Sequence, residues 1–370
     1  MKKTVLTLSI IFLFTYSCTK EEEKPAPEKD YGTYDPTYVD LNLRIPDTNK
    51  KHIPRIIEPQ DNRTTEQGIK LGRELFYETL LSGDGTMSCG TCHNQGFVFS
   101  DNGKQFSEGI DGSIGTRNAQ HIVNPGSRRN TMFWDGRANG LEDQAFGPVT
   151  NPIEMKHTWP DAVKSLNELE KYREMSFAAF GTPNLDSVLV AKAIAQFERT
   201  FISTNSKYDR WRRGEYQLTP EEAFGRELFN RDRTIFESGA DCFHCHNEGN
   251  DFTDNAFHNN GLDEFATDLG RAKVTGDPFD NAKFKTPSLR NLEHSGPYMH
   301  DGRFKTIREV VDFYSEGLKD SPTIDPLMKN LATGGVQLTE MEKDALIAFL
   351  LTFTDPEFLN NPSFSDPNLP

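Results

Sequence analysis

The pattern Cys-x-x-Cys-His occurs twice in this chain, in "MSCGTCHN" at residues 87–94 and in "ADCFHCHN" at residues 240–247. Nothing else in the sequence constrains it as strongly, because two thiols and an imidazole within five positions must converge on one small object. The repetition reaches well beyond the motif. Gly72-Arg73-Glu74-Leu75-Phe76 returns as Gly225-Arg226-Glu227-Leu228-Phe229, and the same displacement carries Cys89 onto Cys242, Cys92 onto Cys245 and His93 onto His246. A match held over that length reads as a duplicated domain. Each copy opens on a Thr with Glu two or three residues on, the start signal of an amphipathic helix. In the first copy Ile69, Leu71, Leu75 and Phe76 can share one helix face.

Three chemistries compete for the motif. Zinc could take four Cys, but the two pairs lie far apart in sequence and each is followed at once by His. A thioredoxin-type redox pair has no use for the His and expects a βαβ context, which the sequence does not offer. Covalent haem attachment uses every position: both thiols add to the haem vinyl groups and the adjacent His reaches the iron. We therefore expect two covalently bound c-type haems, attached at Cys89 and Cys92 and at Cys242 and Cys245, with His93 and His246 as proximal ligands. His244, inside the second motif, reads as a variable position.

The chain has 370 residues, enough for two domains plus tails. Its net charge of −15 argues against nucleic acid as a partner. Further helices are predicted over 161–170, 186–203, 307–316 and 339–353, and no series of alternating strands is evident. The expected fold is mainly α: two cytochrome-c-like haem domains related by duplication, with long loops. The expected bounds are 1–17 for a signal peptide, 18–60 for a polar tether, 61–205 and 206–357 for the haem domains, and 358–370 for a tail. Lys2 and Lys3 followed by the short apolar run from Val5 to Tyr16 read as a secretory signal. Cys18, the one Cys outside the motifs, follows that run directly and is expected to carry a lipid, although an ordinary signal peptide with an incidental Cys also fits. Localisation is then exported and periplasmic, with only the lipid holding the protein to a membrane.

Between the motifs the chain reads "GTRNAQHIVNPGSRRNTMFWDGRANGLEDQAFGPVTNPIEM", and near its end "FKTPSLRNLEHSGPYMHDGRF". With these phrases the sequence resembles the bacterial dihaem cytochrome c peroxidase family, which includes the MauG-type enzymes, from about Gly68 to Asp355. The resemblance implies that Trp134 bridges the two haems. It implies that Gln144, Pro148 and Glu154 line the distal pocket of the peroxidatic first haem. Asn118, Ser295 and Pro297 match positions that hold a calcium ion, and oxygen-only ligation suits that ion. The implied reaction is reduction of hydrogen peroxide to two waters, with electrons from a small cytochrome c or a cupredoxin. A carboxylate such as Glu154 can shuttle the proton that peroxide cleavage requires, and an amide such as Gln144 can donate a hydrogen bond without changing charge. Family members are often dimers, so a homodimer is also implied.

Two departures from the family pattern stand out. Many members carry a His in the loop after the first motif that blocks the peroxidatic iron; residues 94–120 here contain none. The first iron is then five-coordinate, unless His121, which reads rather as a structural residue, closes it. The second haem usually has Met fourteen residues after the His of "PYxH"; counting from His300 reaches Tyr314, as in the MauG type. Met328 and Met299 remain alternatives, as does a core role for Tyr314. Two further readings therefore stay open: a MauG-like oxidase acting on a protein side chain, and a non-catalytic dihaem electron carrier.

Overall fold

The two motif-bearing segments each begin with a capped helix, for the reason the sequence suggests. Thr65 accepts from the Gly68 amide and starts the helix Glu66–Phe76. Thr219 and Glu222 form a reciprocal capping box on the helix Pro220–Phe229. Each of these helices packs against a later one: Glu66–Phe76 against Ser187–Glu198, and Pro220–Phe229 against Glu340–Leu351. The crossings are tight because glycine stands at each. A Cβ on Gly72 would lie 1.9 Å from the Ala193 carbonyl oxygen, and one on Gly225 would lie 1.9 Å from that of Ala345.

Around each crossing sits an aromatic core with the same members. In the first, Phe76, Phe99, Phe197 and Phe201 are fully buried, and Phe99 stacks on Phe201 with centroids 4.0 Å apart. In the second, Phe229, Phe252, Phe349 and Phe353 take those places, and Phe252 meets Phe353 at 3.9 Å. Aromatic clusters of this size dominate the burial energy of a core.

The computed structural model describes residues 29–128 and 131–369. It is mainly helical; the sheet among the described residues is one two-stranded pair, Phe257–His258 with Phe284–Lys285. No helix among these residues is long and apolar enough to cross a membrane. The signal segment and Cys18 lie outside the described residues. The predicted helix over 161–170 is two helices, Trp159–Asn167 and Glu170–Phe180, and that over 307–316 is α-helical only to Asp312 and then passes into a π-turn, Phe313–Gly317.

Residues Thr33–Pro370 form one unit, and both of its ends depart from expectation. The tether was expected to run to residue 60, yet Leu41, Ile45, Ile53 and Ile56 bury themselves with Val39 and Ile202 as a small third core. Four well-spaced apolar residues suffice for this, although the segment's average composition is polar. The segment expected as a tail packs Phe358 and Phe364 into the first core. Tyr77 Oη donates to the Phe364 carbonyl at 2.6 Å, and Arg73 Nε to that of Ser365 at 2.7 Å.

Candidate functional site

The first motif forms one helical turn, Cys89–Cys92, capped by a reciprocal pairing of Ser88 and Thr91. The turn ends at His93, whose Nδ1–H donates to the Phe99 carbonyl at 2.6 Å. That bond orients the ring and leaves Nε2 as the nitrogen for a metal. The second motif repeats the arrangement: His246 Nδ1–H donates to the Phe252 carbonyl at 3.0 Å. Both acceptor carbonyls sit on left-handed backbone. Val98 and Phe99 have φ of 58° each, and Asp251 and Phe252 have 58° and 56°. Two bulky residues in succession seldom adopt that region.

The four motif cysteines form no disulfide. Burial pushes the thiols of Cys89, Cys242 and Cys245 up to about 12 and that of Cys92 up to about 11. These are neutral thiols, unlike the acidic nucleophile of a redox pair. Cys89 packs on the first core and Cys242 on the second, so no four-thiol zinc site is assembled among the described residues. Two thiols and one free imidazole nitrogen per core fit a thioether-bound haem.

The second motif opens into a large apolar cavity. Cys242, Cys245 and His246 line it, together with Tyr314, Met299 and Met328. Asn260 Nδ2 donates to the Tyr314 phenol oxygen at 3.0 Å and lies 3.6 Å from Met299 Sδ. Burial pushes the Tyr314 phenol up to about 12. His258, also on the cavity lining, has both nitrogens satisfied: Asp325 and Asp254 hold them at 2.6 and 2.7 Å.

A second internal match, at a larger displacement and missed in the sequence, relates the two halves. "MFWDGRA" and "YMHDGRF" form the same turn. Met132 N donates to Ala138 O at 2.8 Å and Tyr298 N to Phe304 O at 2.7 Å, and Phe133 and Met299 have φ of 67° and 73°. Each turn leads into a short helix, one starting at Leu141 and the other at Ile307. Continuing in step, Gln144 falls where Val310 lies and Pro148 where Tyr314 lies. Val310 and Tyr314 both line the second cavity. At the position of the phenol, the first half therefore has a proline, which offers no ligand atom.

Glu154 is partly buried on the turn that follows. Asn151 Nδ2 donates to its Oε1 at 2.7 Å, and burial raises its pKa against that hydrogen bond. Its charge is felt at both Cys89 and Cys92. Trp134 lines the second cavity, and its indole Nε1–H donates to the Asn118 carbonyl at 2.8 Å. Asn118 N in turn donates to His300 O at 2.7 Å. Asn118 Nδ2 donates to the carbonyls of Lys104 and Gln105, which leaves its Oδ1 as an acceptor; Asn118, Ser295 and Pro297 all line the cavity. His121, weighed for the first iron, lines the second cavity instead, with its Nε2 buried and without a hydrogen-bond partner among the described residues. The backbone here still belongs to the first half, with Ile122 N donating to Val98 O at 3.1 Å, while His121 itself lines the second cavity.

The family profile described as di-haem cytochrome c peroxidase matches residues 66–217. The methylamine utilization protein MauG of Methylorubrum extorquens is 34% identical over 304 residues, covering 80% of this chain and 80% of its own. The chain belongs to the di-haem cytochrome c peroxidase family. Membership implies two haems and oxidoreductase chemistry. Among its relatives in the family, cytochrome c551 peroxidase of Nitrosomonas europaea is 34% identical over 310 residues, or 81% of this chain and 83% of that one. A solved structure of a MauG-like protein associated with microbial copper homeostasis superposes with a TM-score of 0.77 at 35% identity, covering 86% of this chain and 97% of that one.

Proposed function

We propose that this protein is a dihaem peroxidase, built by duplication, that reduces hydrogen peroxide to two waters with two electrons and two protons. Cys89 and Cys92 hold one haem covalently and Cys242 and Cys245 the other, with His93 and His246 presenting Nε2 to the irons. A haem so held supplies a redox iron at which a bound peroxide can be reduced. The observation that carries this reading is the pairing of Pro148 with Tyr314: the second cavity has a phenol at a position where the first half of the sequence has a side chain without donor atoms.

In the first pocket Glu154 accepts the proton of the near peroxide oxygen and returns it to the far one, so that water leaves as the O–O bond breaks. Its burial-raised pKa brings it closer to the neutral range, where such a shuttle works best. The Gln144 amide donates to the peroxide. Trp134, tied to Asn118 beside the second cavity, is the aromatic group between the halves. Tyr314, with Met328 or Met299 as the alternative, completes the second iron. Asn118, Ser295 and Pro297 supply oxygens for a calcium ion at the junction. Electrons come from a small cytochrome c or a cupredoxin. The protein is exported and held by a lipid on Cys18.

Replacing Glu154 with Gln tests the reading. Haem content and both haem spectra should survive, while peroxide-dependent oxidation of a reduced cytochrome c falls about 10²- to 10⁴-fold. Full turnover in that variant would remove Glu154 from the mechanism. The presence of Tyr314 in the second cavity favours, as a second reading, MauG-like oxidation of a protein side chain.

A further inference from the structure

Glu198 ends the helix Ser187–Glu198 and is buried, at 4% exposure. Its carboxyl makes no hydrogen bond or ion pair with a described residue, whereas the next residue, Arg199, pairs with Glu142. The helix Glu340–Leu351 stands in the matching place of the second half: Ala193 corresponds to Ala345, Phe197 to Phe349 and Phe201 to Phe353. In that register Glu198 corresponds to Leu350, and Leu350 lines the second cavity. The position that lines the second cavity as Leu350 is thus a carboxyl in the first half. The carboxyl is also felt at the Cys89 thiol.

We infer that Glu198 is the redox-linked proton acceptor of the first half, binding a proton when the haem beside it is reduced and releasing it on oxidation. This rests on the reading of Cys89, Cys92 and His93 as a haem site. One electron enters from the donor protein and one proton moves from solvent onto the carboxylate, so the net charge of the interior is unchanged. A carboxyl held this far from water has every reason to avoid charge, and burial pushes its pKa up to about 8. The groups around it are few. Arg199 and Glu142 oppose each other in their effect on it. The motif offers the Cys89 thiol, at which Glu154 is felt as well. The facing helix, Glu66–Phe76, presents Gly68 and Gly72.

The test is a spectroelectrochemical titration of the first haem in wild type, Glu198→Gln and Glu198→Asp, with haem stoichiometry measured on each. In wild type the reduction equilibrium should fall with rising pH above about 8, approaching tenfold per pH unit. Glu198→Gln should abolish that slope, and Glu198→Asp should keep it at a shifted pH. Two haems together with an unchanged slope in Glu198→Gln would overturn this inference and leave the haem assignment standing. One haem per chain would overturn both. A second readout needs no variant. The reduced-minus-oxidised infrared spectrum of wild type above pH 8 should gain a protonated carboxyl band, and its absence would also overturn the inference.

Discussion

Phe99 and Phe252 each present a carbonyl to a motif histidine from left-handed backbone, and each ring is buried in a stack. Such a conformation costs about 1–2 kcal/mol per residue and persists only where the surroundings impose it. The motif histidines were legible in the sequence; the carbonyls that orient them were not, because φ is not written in residue type for Phe. Glu198 was illegible for another reason. In "AKAIAQFERTFI" a Glu beside an Arg reads as an exposed pair, and only the packed helix shows that both are buried. Its burial makes a prediction about stability. The folded-state pKa of about 8 lies above the ordinary 4.5, so between those values the unfolded chain sheds a proton that the folded chain keeps. Wild-type stability therefore falls as pH rises through that window. Gln carries no such proton. The Tm advantage of Glu198→Gln over wild type should widen from about pH 5 to pH 8 and then level off, reaching a few kcal/mol at about 1.4 kcal/mol per pKa unit. A gap independent of pH would mean that Glu198 titrates as an exposed carboxyl.

Among the elements, the four helices of the two glycine crossings were the most legible, since their caps and apolar spacing agree with their packing. What could not be read was why glycine interrupts two of them. Gly225 is a contact surface: an added Cβ would meet the Ala345 carbonyl at 1.9 Å and Phe349 Cβ at 2.9 Å. On an exposed helix Gly→Ala stabilises by up to about 1 kcal/mol. At this crossing Gly225→Ala should instead destabilise by at least the ~1–3 kcal/mol typical of overpacking, because neither neighbouring backbone can move away cheaply. Chemical denaturation gives the sign directly, and a gain in stability would show that the helices are less closely apposed. The π-turn Phe313–Gly317 was equally hidden. It carries Tyr314, and π-turns of this kind are frequent at functional sites. Its counterpart in the first half, Phe146–Thr150, is α-helical and carries Pro148.

For the whole molecule, composition misleads where topology decides. The polar N-terminal segment straps the two halves together: Asn49 Nδ2 donates to Thr204 O at 2.8 Å, and Asp251 N donates to His52 O at 2.7 Å. Arg290, fully buried, binds Asp209 and Asp251, and Asp251 also accepts from Asn124 of the first half. Asp355 receives the amides of Thr204 and Asn205 and the Ser203 hydroxyl. Breaking a buried ion pair leaves an uncompensated charge, so the halves are not free to unfold separately. The last residues follow the same logic. Phe364 lies 5.2 Å from Phe201, which stacks on Phe99, the residue whose carbonyl holds His93. Phe364→Ala should thus cost about 3–5 kcal/mol, as for other buried aromatics. The loss should appear as one cooperative transition moved to lower temperature, with both haem spectra changing together. Two resolved transitions, with only the first haem affected, would mean that the shared network couples the halves too weakly to matter.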